Sequence, residues 1–279
     1  MTEAARTTAG SPTPFLVTKE SRRFVEFCDA CRRDRYIGLC YGPPGVGKTL
    51  SARQYAHWDR IEAAHARWES PNRVVPTGVE DWHTVFYTPP VANTPRGIAH
   101  AVEARCAMLT DLVSAAHGYL EATGPDAVAW ALVEQTELLI VDEADRLKMA
   151  GLEQLRDLYD RGTFGGMVLL GMPGLEKRLA RYPQLYSRVG FAHTFRPLSS
   201  EEMQFVLAHH WTALGLTLDS RDFTDSEAIA AIIRITGGNF RLLQRLFAQI
   251  GRLLTLNGLH TVTKEVVEAA RECLIIGMT

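Results

Sequence analysis

Residues Gly42-Pro43-Pro44-Gly45-Val46-Gly47-Lys48-Thr49 satisfy every position of the G-x-x-x-x-G-K-[ST] pattern, and no other stretch of the 279-residue chain restricts its fold as tightly. The apolar run Tyr36 to Tyr41 before it reads as a buried parallel strand. Leu50 to Ala56 after it reads as a helix that continues to about Arg67. A strand-loop-helix unit of this kind is expected to cradle phosphate. Gly42, Gly45 and Gly47 let the backbone curl so that successive N–H groups face phosphate oxygens, and the following helix adds its positive end. Lys48 is placed to reach the β- and γ-phosphates of a nucleotide. Thr49 is placed to hold Mg²⁺, an ion that takes oxygen ligands and binds mostly by way of the phosphates. The nucleotide contacts are therefore expected from Gly42 through Leu50.

A net charge of −2 gives no overall attraction to nucleic acid or membrane, so any DNA contact must come from a local basic surface. Hydrophobic residues at 46% are ample for a core. No apolar run approaches the ~20 residues of a membrane helix, and Met1 to Pro14 carries no apolar signal segment. A cytoplasmic protein without membrane partners is the expectation. The five cysteines, at 28, 31, 40, 106 and 273, form no disulfide framework. Cys28 and Cys31 share a helical face with Phe24 and Phe27, and no second ligand pair accompanies them, so they read as core residues.

Residues 1–17 read as a mobile tail, 18–196 as an α/β domain and 197–279 as a helical lid. A second strand is expected at Thr84 to Thr88, and a long helix from Thr94 to about His117 with Ile98, Val102 and Met108 facing inward. Residues 119–136 suggest a further short helix after Gly124-Pro125-Asp126, which enlarges this crossover. The third strand, Leu138 to Val141, is four aliphatic residues ending in Asp142-Glu143-Ala144-Asp145. A strand buried on both faces shows this pattern, and it delivers carboxylates to the edge where the phosphate loop sits. Asp142 is expected to bind Mg²⁺ and Glu143 to act as general base on water. A water-activating carboxylate suits an ATP hydrolase better than a small-molecule kinase. An amphipathic helix from Leu147 to Arg161, a fourth strand Met167 to Leu170 and a fifth strand Phe191 to Phe195 complete a doubly wound, five-stranded parallel sheet. Beyond Pro197 four helices follow. Capping boxes are expected at Ser199/Glu202 and Thr224/Glu227, a break at Gly237-Gly238-Asn239, and a cap at Thr263 with Val262 and Val267 as a staple.

GPPGVGKT, LLIVDEADRL, LLGMPGLEKRL, YSRVG and GGNFRLL, in that order, resemble the AAA+ ATPases of transposition, the TnsC/TniB/MuB type, over about residues 20–275. The resemblance implies an ATP-dependent protein that forms a ring or helical filament on double-stranded DNA. It further implies target-site selection and recruitment of a transposase, with a target-selection adaptor as a possible third partner. Carried over residue by residue, Arg188 matches the arginine that enters the neighbouring subunit's ATP site, and Arg241 the lid arginine that senses nucleotide in cis. Either is otherwise a surface arginine. One departure concerns hydrolysis. Where the fourth strand usually ends in Asn, Thr or Ser to orient water, Met172 follows Gly171, and a thioether accepts weakly. Slow hydrolysis, stimulated by a partner, with ATP acting mainly as an assembly switch, is the expectation. Arg96 and Arg105 in the enlarged crossover resemble DNA-tracking residues of initiator-like relatives, the alternative being a solvated helix face. A helicase loader, a secretion-associated ATPase or a nucleotide-dependent kinase are the competing functions.

Overall fold

A computed structural model describes residues 15–68, 74–118, 136–219 and 222–274. The expected tail through residue 14 and the short helix expected within 119–135 lie outside them. Helix α1 (Lys19–Arg33) leads to β1 (Ile37–Tyr41), and the phosphate loop then opens α2 (Lys48–Tyr55). The single helix expected to Arg67 is in fact two. His57 adopts a left-handed φ of 50°, its ring stacks on Trp82 at 4.8 Å, and α3 (Trp58–His65) sets off in a new direction that buries Trp58 and Ile61. A left-handed residue ends a helix because its carbonyl leaves the ladder. Next come β2 (Thr84–Tyr87), α4 (Pro95–Ala116), β3 (Leu138–Val141), α5 (Met149–Asp160) and β4 (Gly166–Gly171). Short helices α6 (Leu175–Leu179) and α7 (Pro183–Tyr186) precede β5 (Val189–Thr194).

The five strands form one parallel sheet in the order β2-β3-β4-β1-β5. β3 and β4 are buried along their whole length, which accounts for their unbroken apolar sequences; the edge strand β2 is buried too, Thr84 included, whereas the opposite edge strand β5 is half exposed. β4 lies between β1 and β3. The end of β4 therefore stands between the phosphate loop, which follows β1, and the acidic run, which follows β3. Phe24, Cys28 and Cys31 of α1 are fully buried against this sheet. Burial pushes the Cys31 thiol up to about 12 and raises Cys28 and Cys40 as well, so these are packing residues.

The remaining helices, α8 (Ser200–Ala213), α9 (Phe223–Thr236), α10 (Phe240–Asn257) and α11 (Lys264–Glu272), enclose a second hydrophobic core around Trp211, Ile232, Leu243, Leu246, Ile250 and Val267. Ser199 and Glu202 form the expected capping box. Thr224 and Glu227 do not: Asp222 caps α9 by accepting the Thr224 N–H at 2.7 Å, so the helix starts one residue before Thr224. Gly237 closes α9 in the left-handed conformation and Asn239 opens α10. Thr263 caps α11, with Val262 and Val267 both buried beside it.

The two cores are strapped together at the start of α1. Buried Glu202 accepts the Glu20 N–H at 3.1 Å through Oε1 and the Ser199 N–H at 3.0 Å through Oε2. Burial alone would raise its carboxyl, but these hydrogen bonds outweigh burial and hold it below the usual range. Phe15 and Leu16, assigned with the tail from composition, lie against this junction, Leu16 packing on the helical core.

Candidate nucleotide site

The loop between β1 and α2 takes its shape from three glycines used in two ways. Gly45 and Gly47 have φ of 78° and 109°, a region that side chains strain to enter. Gly42, expected to help the backbone curl, instead makes room: a Cβ there would sit 2.1 Å from the Phe195 carbonyl oxygen. Lys48 folds back over the loop and donates from Nζ to the carbonyls of Gly42 at 2.6 Å and Pro43 at 2.8 Å. Burial lowers its pKa, so an incoming anion gains a strongly interacting, poorly hydrated ammonium.

Thr49 Oγ1 donates to Asp142 Oδ2 at 2.7 Å, joining the loop to the end of β3. Asp142 is buried, and desolvation raises its carboxyl despite that bond and a second from the Glu143 N–H at 2.9 Å. A raised, buried carboxylate beside a hydroxyl is an oxygen pair that a hard cation stabilises. Two protein oxygens suit Mg²⁺, which takes most of its remaining ligands from phosphate and water. Among the described residues no cluster of three or more His, Cys, Asp or Glu could hold a metal alone. The pair therefore fits Mg²⁺ as a companion of nucleotide.

Glu143 is exposed, occupies a left-handed φ of 49°, and pairs with Arg146, whose guanidinium also donates to the Pro89 carbonyl at 3.1 Å. Strain of this kind costs about 1 kcal/mol or more and persists where neighbours enforce it. Pro44, Gly45, Gly47, Lys48, Thr49, Leu50, Asp142, Glu143, Asp145, Met172 and Arg241 line one cleft of about 520 Å³. Arg241 reaches it because α10 docks on the loop: its N–H donates to the Gly45 carbonyl at 2.9 Å, and Asn239 Nδ2 to that of Pro44 at 2.9 Å. Neither Asn239 in this role nor Gln244, which also lines the cleft, is marked by any motif in the sequence.

An adjoining apolar cavity of about 300 Å³ continues from Leu50 and Phe240 to Phe15, Val46, Phe195, Leu198 and His210. Phosphate at one end and a flat apolar base at the other match the chemistry of a nucleotide. Pro43 stands within the loop, where its carbonyl holds Lys48.

Arg188 is not part of this cleft. It sits at the amino edge of the sheet just before β5, where Asp160 grips it through two bonds of 2.8 and 2.9 Å. Arg96 and Arg105 lie nine positions apart on α4, which at 100° per residue places them on opposite faces. Arg96 is exposed. Arg105 is folded onto its own domain, 5.1 Å over the Tyr87 ring and bonded to the Ala101 carbonyl at 2.9 Å.

Residues 31–179 match the family model described as AAA domain. The chain belongs to this AAA domain family. It is also 46% identical to a "Potential ATP-binding protein" of Staphylococcus aureus, over 95% of this chain and 97% of that one. The Mu-like prophage FluMu DNA transposition protein B of Haemophilus influenzae is 27% identical, over 84% of this chain and 71% of that protein. Among solved structures, the RuvB Holliday junction branch migration motor of Thermotoga maritima aligns with a TM-score of 0.58 at 16% identity, covering 93% of this chain and 70% of that one. Aeropyrum pernix ORC2 in its ADP form aligns at 0.55 and 13%, covering 94% and 70%. Both share the fold. No helix among the described residues of this AAA domain protein is long and apolar enough to cross a membrane.

Proposed function

We propose that this AAA domain protein is an ATP-dependent, DNA-binding transposition regulator that assembles on double-stranded DNA and recruits a transposase to the chosen site. The observation carrying this reading is the 27% identity to a DNA transposition protein B, which extends over 84% of this chain. The geometry supports the ATP-dependent part. Lys48 holds the β- and γ-phosphates, Thr49 and Asp142 hold Mg²⁺, and the cavity beside Phe240 takes the base. When bound, Mg²⁺ neutralises charge on the phosphate oxygens. Glu143, once turned from Arg146, accepts the proton of the water that attacks the γ-phosphorus, and ADP and phosphate leave.

Arg188 lies outside its own cleft, so its contribution comes from a neighbouring copy, where it neutralises charge on the γ-phosphate. Arg241 senses nucleotide in cis, since α10 carries both it and the Asn239 bond to the loop. ATP then bridges adjacent copies and lines up their exposed Arg96 residues, so that weak phosphate contacts act together. Arg105, committed to Tyr87, supports α4 instead.

The experiment is duplex DNA binding against salt with a non-hydrolysable ATP analogue, with ADP and without nucleotide. Tight, steeply salt-dependent binding only with the ATP analogue is expected. Equal affinity in all three states, or none, would shift the reading to an adaptor that does not act on DNA. Mixing Arg188→Ala with Glu143→Gln, each inactive alone, is expected to restore some hydrolysis at interfaces that pair an intact Glu143 with an intact Arg188.

A further inference from the structure

Gly171 and Met172, at the end of β4, offer no polar side chain between the acidic run and the phosphate loop, yet a carboxylate occupies that place. It belongs to Asp145. Its Oδ2 accepts the Met172 N–H at 2.7 Å. The space exists because Gly171 lacks a side chain: a Cβ there would stand 2.6 Å from this same oxygen. The turn that presents Asp145 is held from behind by Arg178, which donates to the Asp145 carbonyl at 2.8 Å and also bonds the Leu147 carbonyl. Asp145 lines the cleft together with Lys48, Thr49, Asp142 and Glu143. Its charge also acts on the Lys48 ammonium.

We infer that Asp145 is a catalytic residue of the hydrolysis proposed above, orienting the attacking water through its second oxygen and so supplying the acceptor that the end of β4 lacks. The water donates one hydrogen to Glu143, which takes that proton as the bond to phosphorus forms, and the other to Asp145, which only accepts a hydrogen bond. Two acceptors fix both hydrogens and aim the oxygen lone pair. The bond from the Met172 N–H fixes the carboxylate through Oδ2, and Oδ1 is the oxygen assigned to the water.

This inference rests on the ATPase reading, and the test separates the two. ATP turnover and the affinity for a fluorescent ATP analogue are measured on the full chain, with Glu143→Gln as reference. Asp145→Ala is expected to lower kcat about a hundredfold, as losses of positioned catalytic groups do, while ATP affinity stays within about threefold. Asp145→Asn has a single acceptor oxygen for two donors, the Met172 N–H and the water, and is expected to lower kcat about as far as Asp145→Ala does, with ATP affinity again within about threefold. Met172→Asn, added to Asp145→Ala, is expected to recover turnover by restoring a polar side chain at the end of β4. Unchanged turnover in Asp145→Ala, a loss matched by an equal loss of ATP affinity, or no recovery in the double variant would each overturn the role of Asp145 alone. Absence of any turnover that Glu143→Gln removes would overturn the ATPase reading as well.

Discussion

At the phosphate end of the cleft, Pro44, Gly45, Gly47, Lys48 and Thr49 of one short loop and the carboxylates that follow one buried strand form the wall, while at the apolar end Phe15, Val46, Leu50, Phe195, Leu198, His210 and Phe240 come from segments scattered over the chain. The first end is preformed by the sheet. The second exists only when the helical core docks on the α/β core. Nucleotide that fills both ends therefore reports on the docking, because the energy it gains at the apolar end depends on where α10 and the Glu202 strap hold the helices. In the proposed reaction the same contrast would separate chemistry from sensing: Lys48, Thr49, Asp142 and Glu143 belong to the α/β core, and Arg241 to the helical core.

The largest effect is expected at the rigid end. Glu143→Gln preserves size and removes the base, so turnover should fall about a thousandfold with ATP still bound. Single-turnover kinetics beside nucleotide affinity would check it, and retained turnover would remove Glu143 from the chemistry. Next in size is Lys48→Ala, which deletes a desolvated ammonium and should weaken ATP about a hundredfold, from about 3 kcal/mol of charge-assisted hydrogen bonding. Titration with tripolyphosphate as well as ATP should show the same loss for both ligands, since only the phosphate end is touched.

That end was legible from sequence for a physical reason: a loop that cradles phosphate is local, so its glycines, lysine and hydroxyl must lie at fixed spacing. The strand ending at Asp142 was legible too, because burial on both faces demands an unbroken aliphatic run. The break at His57 was not, since it depends on Trp82, 25 positions away, offering a ring to stack on. Gly42 looks, from spacing alone, like a glycine that lets the backbone curl, because the approach of the Phe195 carbonyl is set by a strand about 150 positions later. Asn239, visible as a helix start, gave no sign that it would bond the Pro44 carbonyl 195 positions earlier. Arg96 and Arg105 looked equivalent as charges, and only helical phase and the Tyr87 ring tell them apart.

The strap between the cores comes third. Glu202→Ala leaves the Glu20 and Ser199 N–H groups without their acceptor, at a cost of about 2 kcal/mol. Thermal or denaturant unfolding would measure it. The pH dependence has a definite sign: a carboxyl held below its usual range stabilises the fold above that range, and the contribution fades as pH falls through the folded-state value. Stability of the unmodified chain should therefore drop faster on acidification than that of Glu202→Ala. Identical acid profiles would show that Glu202 does not couple the two cores through its charge.

The smallest effect isolates the apolar end. Phe240 opens α10 and contributes to both parts of the cleft, so Phe240→Ala removes a flat surface for the base without touching Lys48, Thr49 or Asp142. Stacking on an aromatic ring contributes about 1–3 kcal/mol, so ATP affinity should fall about tenfold. Tripolyphosphate, which has no base, should bind the variant as it binds the unmodified chain. Competition between these two ligands in both proteins would make the comparison directly. If tripolyphosphate weakens as much as ATP, the two ends are a single mechanical unit and Phe240 acts by holding the phosphate loop through Asn239 and Arg241. If neither ligand weakens, the base lies elsewhere and the scattered residues around Phe15 and Phe240 serve packing alone.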